Sequence, residues 1–322
     1  MSLALIDWYD QNKRDLPWRK AIPDPYHVWL VEVMSQQTTM GAVQPYFLKF
    51  VQHYPKIADL AAAPEDEVMA HWAGLGYYSR CRNLIKAARI IAVNGFPERL
   101  EDLPGVGRYT AAAINTMAFN RPDTVVDGNV ERIVSRLFAV ETPLPKAKPE
   151  LYRLAEKIYA HHHGRPGALA QGFMDLGTRI CTPRNPKCDI CPLFDYCAAK
   201  SDAYPKRMEK AAKPERVATA YVIENAAGDI LFEKRPDKGL LGGTTGLPCT
   251  DLKSGHPPEG IEIAGNGESL GEVRHVFTHF GLTLRVERAQ AKSFDHLRYT
   301  WKKPEAASGL SSLFAKALSL AQ

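Results

Sequence analysis

The sequence predicts a mainly α region over about its first two hundred residues and a smaller α+β region after it, and three observations carry that division. From Leu3 to about Ala199, apolar residues recur at spacings of three and four with Pro and Gly in short turns, the period of helices that bury one face. Asp202 to Arg216 (DAYPKRMEKAAKPER) has few apolar residues and reads as a surface linker. Beyond it the grammar changes. Ala218 to Glu224 (ATAYVIE) and Asp229 to Lys234 (DILFEK), separated by Asn225 to Gly228, predict two strands of a hairpin. Further strand-like runs span Gly271 to His279 and Gly281 to Glu287, and Ala306 to Leu320 closes with a helical pattern. The expected organisation is therefore a helical domain at 1–201, a linker at 202–216 and an α+β domain at 217–322.

Composition bounds the function more loosely. With 45% hydrophobic residues the chain has apolar material for real cores. The 41 Lys and Arg against 36 Asp and Glu leave a net charge of +5, which suits a polyanionic partner without requiring one. Asp7 and Asp10 interrupt any apolar signal segment, and no run reaches the roughly 18 to 20 apolar residues of a spanning helix. A cytoplasmic location with reduced thiols and no membrane partner is expected.

Four cysteines nevertheless fall close together. Cys181, Cys188, Cys191 and Cys197 are spaced C-x6-C-x2-C-x5-C, near enough to wrap one centre, and thiolates suit soft metals and iron-sulfur clusters. Four-cysteine zinc sites usually come as two C-x2-C knuckles. Only one such pair is present, so the spacing favours a [4Fe-4S] cluster over zinc. Arg179, Arg184 and Lys187 beside these ligands can meet a phosphate backbone, or are ordinary solvated bases. His161 to His163 read as a helix end.

A second motif lies at Leu103 to Ile114, LPGVGRYTAAAI. Gly105 and Gly107 permit a tight turn, Val106 between them is apolar, and a helix start follows whose free N–H groups can take an anion. This helix-hairpin-helix signature predicts grip on the DNA backbone without base readout.

These segments, with Val126 to Val130 (VDGNV) and the cysteine spacing, resemble the endonuclease III superfamily of DNA glycosylases. Leu16 to Arg19 (LPWR), Trp29 to Thr38 (WLVEVMSQQT) and Gly74 to Arg80 (GLGYYSR) narrow the resemblance to its MutY family of adenine glycosylases, which act opposite 8-oxoguanine. The resemblance implies a helix-hairpin-helix glycosylase fold with an iron-sulfur loop and a hydrolase of base excision repair. Its partner would be double-stranded DNA with adenine opposite 8-oxoguanine or guanine, in the nucleoid, and a monomer suffices for the chemistry. Bifunctional superfamily members carry a lysine after the hairpin whose amine attacks the sugar. Here that position is Tyr109, so water is the expected nucleophile and strand nicking is expected to be weak or absent.

On the residues alone, Glu32 reads as a glutamate facing solvent from an amphipathic helix, and Asp127 as an N-cap. The resemblance instead makes Glu32 the acid that protonates adenine N7, with burial raising its pKa. It sets Asp127 against the cationic sugar, with Asn129 and Tyr109 hydrogen-bonding near the carboxylates. It further implies that Gln37 and Tyr78, with Gln36 and Tyr77 as second choices, fill the gap beside the extruded base. Arg14, Trp18, Arg19 and Gln171 would frame the adenine pocket. Packing for the tyrosines and a polar helix end for the glutamines remain the plain alternatives. Ser35 departs from the family's leucine.

The C-terminal region resembles the family's recognition domain, related in fold to Nudix hydrolases but lacking their REx2E-type carboxylates, so binding without nucleotide hydrolysis is expected. Phe277, Thr278 and His279 stand where the family has a Phe-Ser-His loop that inspects 8-oxoguanine, and Thr278 keeps the hydroxyl. A strand pair inside a sheet is the plain alternative for Thr278 and His279. Leu240 to Pro248 (LLGGTTGLP) lacks the aromatic residues common in that loop. A mismatch thymine glycosylase of the same superfamily and a catalytically inactive lesion-binding protein stay open as alternatives. Glu32 within WLVEVMSQQT, the second domain and the presence of both carboxylates weigh against them.

Overall fold

The structure, a computed structural model, describes residues 1–209, 212–236, 239–306 and 310–321. Lys210 and Ala211 of the expected linker and Ala307 to Gly309 of the closing helical pattern lie outside the described residues. Helices run over Ser2–Asn12 (α1), Pro25–Ser35 (α2), Met40–His53 (α3), Ile57–Ala62 (α4), Glu65–Trp72 (α5), Tyr78–Asn94 (α6), Arg108–Phe119 (α7), Gly128–Leu137 (α8), Lys148–Tyr159 (α9), Pro166–Arg179 (α10) and Ser312–Leu318 (α11). Strands run over Glu215–Val222 (β1), Ile230–Lys234 (β2), Thr245–Gly246 (β3), Ile261–Val276 (β4), Gly281–Phe294 (β5) and Tyr299–Lys302 (β6). Two compact units result, Met1–Ala62 with Lys86–Lys210, and Ala63–Ile85 with Ala211–Gln322.

The first unit is built around α2. The helix starts where Asp24 accepts the Tyr26 N–H at 2.9 Å and Pro25 takes the first position, a capped start with pre-set φ. Every residue from Tyr26 to Met34 is buried, and α3 and α7 flank it. A helix covered on all sides is a core helix. That overturns the solvent-facing alternative for Glu32, because α2 has no solvent face at that level. In α7 the short side chains of Ala111 to Ala113 let α2 and α10 approach closely. The helix α8 turns Val130, Ile133, Val134 and Leu137 inward and packs against α9 and α10. At Gly177 of α10 an added Cβ would stand 2.7 Å from the Asn129 side chain, so the absence of a side chain there sets how near α10 comes to the start of α8.

The second unit holds two three-stranded sheets, ordered β1-β5-β4 and β3-β2-β6. Ala218, Ala220 and Val222 of β1, Phe232 of β2, and Leu282, Leu284 and Val286 of β5 meet Phe314 and Leu318 of α11 in one core. The expected hairpin forms only beside its turn, where Glu224 and Ile230 pair antiparallel and the Leu231 N–H donates to the Ile223 carbonyl at 2.9 Å. The turn at Asn225 is tight, with its N–H donating to the Asp229 carbonyl at 3.0 Å, but β1 and β2 enter different sheets and β1 pairs in parallel with β5. Alternation reports which face of a strand is buried and says nothing of its partner. Both strands bury apolar faces in the same core from opposite sheets. The β4 and β5 strands pair antiparallel and run well past the segments expected from sequence. From the N-terminal half of the chain, α5 and the first turns of α6 also belong to this unit, where Arg82 donates to the Gly242 carbonyl at 2.9 Å. Among the described residues no helix is long and apolar enough to cross a membrane.

Candidate active site

A cavity of about 370 Å³ opens in the first unit, walled by α1, the 13–24 segment, α2, α7, α8 and α10. Eight of the predicted residues line it: Arg14, Trp18, Arg19, Glu32, Tyr109, Asp127, Asn129 and Gln171. Glu32 is brought there by α2 and is buried, with Oε2 lacking any hydrogen-bond partner. Burial pushes its pKa up to about 7; the Asp127 charge adds to the rise, while a hydrogen bond from Tyr109 and the Arg19 charge oppose it. Burial, reinforced by Glu32 and Asp127, holds the Tyr109 hydroxyl well above the ordinary tyrosine value.

Asp127 caps α8. Its Oδ1 accepts the N–H groups of Asn129 and Val130 at 2.9 and 2.8 Å, and its Oδ2 accepts the Asn129 side-chain amide at 2.8 Å. Cap and site residue are thus one aspartate, because the same turn that needs an acceptor also points the carboxylate into the cavity. Ser35 donates to the Glu32 carbonyl at 3.1 Å, so its hydroxyl is satisfied on the backbone.

The opposite wall is polar and tied down. Tyr9 donates to Gln171 Oε1 at 2.9 Å, and Trp18 meets Phe47 edge to face at 5.2 Å. Asp175 is fully buried one helical turn beyond Gln171. It accepts the Arg14 N–H at 3.1 Å and Nε at 2.6 Å, and both terminal nitrogens of Arg19 at 2.6 and 2.9 Å. Sequence reasoning missed it, although an acidic residue in the apolar run GALAQGFMDLG, four after Gln171, was the signal available. Arg132 was missed as well. It donates to Asn129 Oδ1 at 2.9 Å, to the Gly177 carbonyl at 2.7 Å and to the Cys181 carbonyl at 2.8 Å.

The hairpin precedes α7. Gly105 has φ of 78°, Val106 is buried and Gly107 caps the helix. Gln36 donates to Thr110 Oγ1 at 3.1 Å, beside this turn, whereas Gln37 is exposed with a φ of 58°. In the second unit Tyr77 is exposed with φ of 49°, and Tyr78 is half-buried at the start of α6. Thr278 and His279 are exposed in the turn between β4 and β5, which overturns the strand-pair alternative. The turn closes where the Phe277 N–H donates to the Phe280 carbonyl at 2.9 Å, and Lys213 donates to the Phe277 carbonyl at 2.9 Å. In the preceding loop Leu240 and Leu241 pack on the core.

The four cysteines are unpaired and half-buried around a cavity of about 30 Å³ in the first unit. Among the described residues no three His, Cys, Asp or Glu side chains gather as ligands of one ion. All four thiols line this one cavity, and four thiolates facing a common space are the donor set that an iron-sulfur cluster takes. Arg136, buried, donates to Cys181 Sγ at 3.2 Å and to the carbonyls of Thr182, Pro183 and Tyr204, so it fastens the whole loop. Arg184 and Lys187 are exposed on it, while Arg179 donates to the Asn12 carbonyl and stacks on Trp8.

Residues 30–160 match the HhH-GPD superfamily of base excision DNA repair proteins, 181–197 the iron-sulfur binding domain of endonuclease III, and 219–320 the NUDIX domain. The chain is 32% identical to the adenine DNA glycosylase of Mus musculus over 88% of its own length and 69% of that protein's. It is 33% identical to the adenine DNA glycosylase of Buchnera aphidicola subsp. Schizaphis graminum over 87% and 85%. The chain belongs to the adenine DNA glycosylase family. Among solved structures, a thermostable thymine-DNA glycosylase superposes with a TM-score of 0.54 at 30% identity, covering 62% of this chain and 94% of that one. Endonuclease III trapped on DNA superposes with a TM-score of 0.51 at 25% identity, covering 62% and 93%.

Membership in this adenine DNA glycosylase family makes the chain a DNA glycosylase, with a helix-hairpin-helix domain and a Nudix-like α+β domain. Its cofactor is a [4Fe-4S] cluster, and the sulfurs that fit it are those of Cys181, Cys188, Cys191 and Cys197.

Proposed function

We propose that the chain hydrolyses the N-glycosidic bond of adenine opposite 8-oxoguanine or guanine in duplex DNA and does not cleave the strand. The observation that carries this reading is the pair of carboxyl groups in one cavity, Glu32 with a pKa near 7 and an unpartnered oxygen, and Asp127 held by three N–H donors. Two carboxyl groups in unlike surroundings can divide acid and stabiliser roles. Glu32, carrying a proton near neutral pH, gives it to adenine N7. The bond from C1′ to N9 then breaks with its electrons going to the base, and Asp127 stabilises the cationic sugar. Water adds to C1′ and its proton returns to Glu32.

Arg14, Trp18, Arg19 and Gln171 frame the extruded adenine, Gln37 fills the space it leaves, and the Gly105 to Gly107 turn holds the backbone; Tyr78, in the second unit, contacts the duplex. Tyr109 occupies the position of the strand-cleaving lysine and has no amine to form a Schiff base. In the second unit Thr278 and His279, exposed at a turn, inspect the base opposite. The cluster holds its loop in place, with no step of the hydrolysis passing through it.

The test is single-turnover base release from duplexes with A opposite 8-oxoguanine, A opposite G and T opposite G, with and without alkali. Adenine release that yields strand breaks only after alkali is the expected result. Thymine release, or breaks without alkali, would overturn the substrate or the mechanism respectively.

A further inference from the structure

Glu32 needs its proton, yet two guanidinium groups line the same cavity. A cation near a carboxyl group favours its ionised form, and the burial of Glu32 strengthens that field. The groups around Glu32 come from every wall. The segment before α2 brings Arg14 and Arg19 with Lys13, Asp15 and Lys20 at the mouth, α1 brings Tyr9, α7 Tyr109 and α8 Asp127, while Asp175 of α10 is bonded to the two arginines. Among these, Arg19, Tyr109 and Asp127 act on Glu32 directly.

What distinguishes Arg14 and Arg19 is where their charge is spent. Asp175, with no exposed side-chain surface, accepts four hydrogen bonds from them, one from the Arg14 backbone and three from the two guanidinium groups. The fork of Arg19 grips both carboxylate oxygens, a geometry that fixes the plane of the guanidinium and directs it at Asp175. Burial works against the ionised form of Asp175, but the Arg19 and Arg14 contacts outweigh it and hold its pKa below the ordinary value.

We propose that Asp175 is a positioning residue for the acid: by clamping Arg14 and Arg19 it withholds their positive charge from Glu32, so that the carboxyl group keeps the proton it donates to the base. The clamp also cancels one of the two positive charges on the wall of the adenine pocket. This rests on the reading of Glu32 as the acid.

The experiment is the pH profile of single-turnover adenine release from a duplex with A opposite 8-oxoguanine. For the unaltered protein the rate falls as pH rises through about 7, where Glu32 loses its proton. In Asp175→Asn the clamp loses its charge and the midpoint moves down by about one unit, which above both midpoints is a further tenfold loss of rate. In Arg19→Gln the cation is gone and the midpoint moves up, so the two variants bracket the original and the second remains informative if the first folds poorly. A lower plateau in Asp175→Asn with an unmoved midpoint means that Asp175 is only structural, and overturns the proposal, as does an upward shift. Glu32→Gln separates the two levels. If it leaves the descending limb in place, the limb never belonged to Glu32 and the acid assignment itself fails.

Discussion

Burying Glu32 costs folding free energy whenever the carboxyl group must ionise inside the protein. Its pKa rises from an ordinary 4.5 to about 7, so below 4.5 it is neutral in both the folded and the unfolded chain. Between 4.5 and 7 only the unfolded chain releases the proton, and stability falls with rising pH across that window; above 7 the loss is complete. Glu32→Gln removes the cost, so urea denaturation at pH 8 should show it more stable than the parent by about 2 to 3 kcal/mol, with no gain at pH 4. Base release by the same variant should fall by more than about a hundredfold, the scale of a lost general acid. A variant that loses activity and gains no stability at high pH would mean that Glu32 is solvated. The sequence showed the residue and the resemblance implied a role for it, but burial depends on what covers α2, and periodicity within one helix does not carry that. Arg132 illustrates the same limit. It joins Asn129, Gly177 and Cys181, residues three, 45 and 49 positions away, through contacts that form only once α8 and α10 are packed. Arg132→Met should slow single-turnover base release about tenfold to a hundredfold, the usual cost of losing the support behind an active residue. Unchanged rates would show that Asn129 holds Asp127 without it.

At the level of elements, the motifs with fixed local geometry were the legible ones. The hairpin needs a left-handed residue, which Gly105 supplies with φ of 78°, and the cysteine loop needs only short spacings to close. Strand pairing was less legible, since β1 finds its partner in β5, more than fifty residues away in sequence. The fully buried Asp175 escaped because one carboxylate in a helical run looks like any other until its arginines are in place. The hairpin has its own consequence. Gly105→Ala forces a Cβ into the left-handed region at a cost of about 1 to 2 kcal/mol and disturbs the N–H groups proposed to meet the phosphate. Because that contact reads no base, affinity should fall by a similar factor, about tenfold, for duplexes with and without a mismatch. Fluorescence anisotropy on both duplexes checks this, and a loss confined to the mismatch would mean that the turn acts on the extruded base instead.

Across the whole molecule, the candidate excision site and the candidate lesion-reading loop belong to separate units. The first unit has the carboxyl groups, the hairpin and the cluster loop. The second has an exposed threonine and histidine at a β-turn braced by tilted ring contacts, Phe277 lying 4.9 Å from Phe280 and 4.6 Å from His275. A hydroxyl on such a turn can tell 8-oxoguanine from guanine only by a hydrogen bond that one of them offers and the other does not. That difference is worth about 1 kcal/mol, or a factor of about five. Thr278→Val keeps the shape and removes the hydroxyl. The ratio of adenine release opposite 8-oxoguanine to that opposite guanine, measured at subsaturating protein, should therefore narrow about fivefold. A ratio that holds in Thr278→Val and narrows in His279→Ala would move the discriminating contact one residue along the turn. If neither variant changes it, recognition of the opposite base does not pass through this loop.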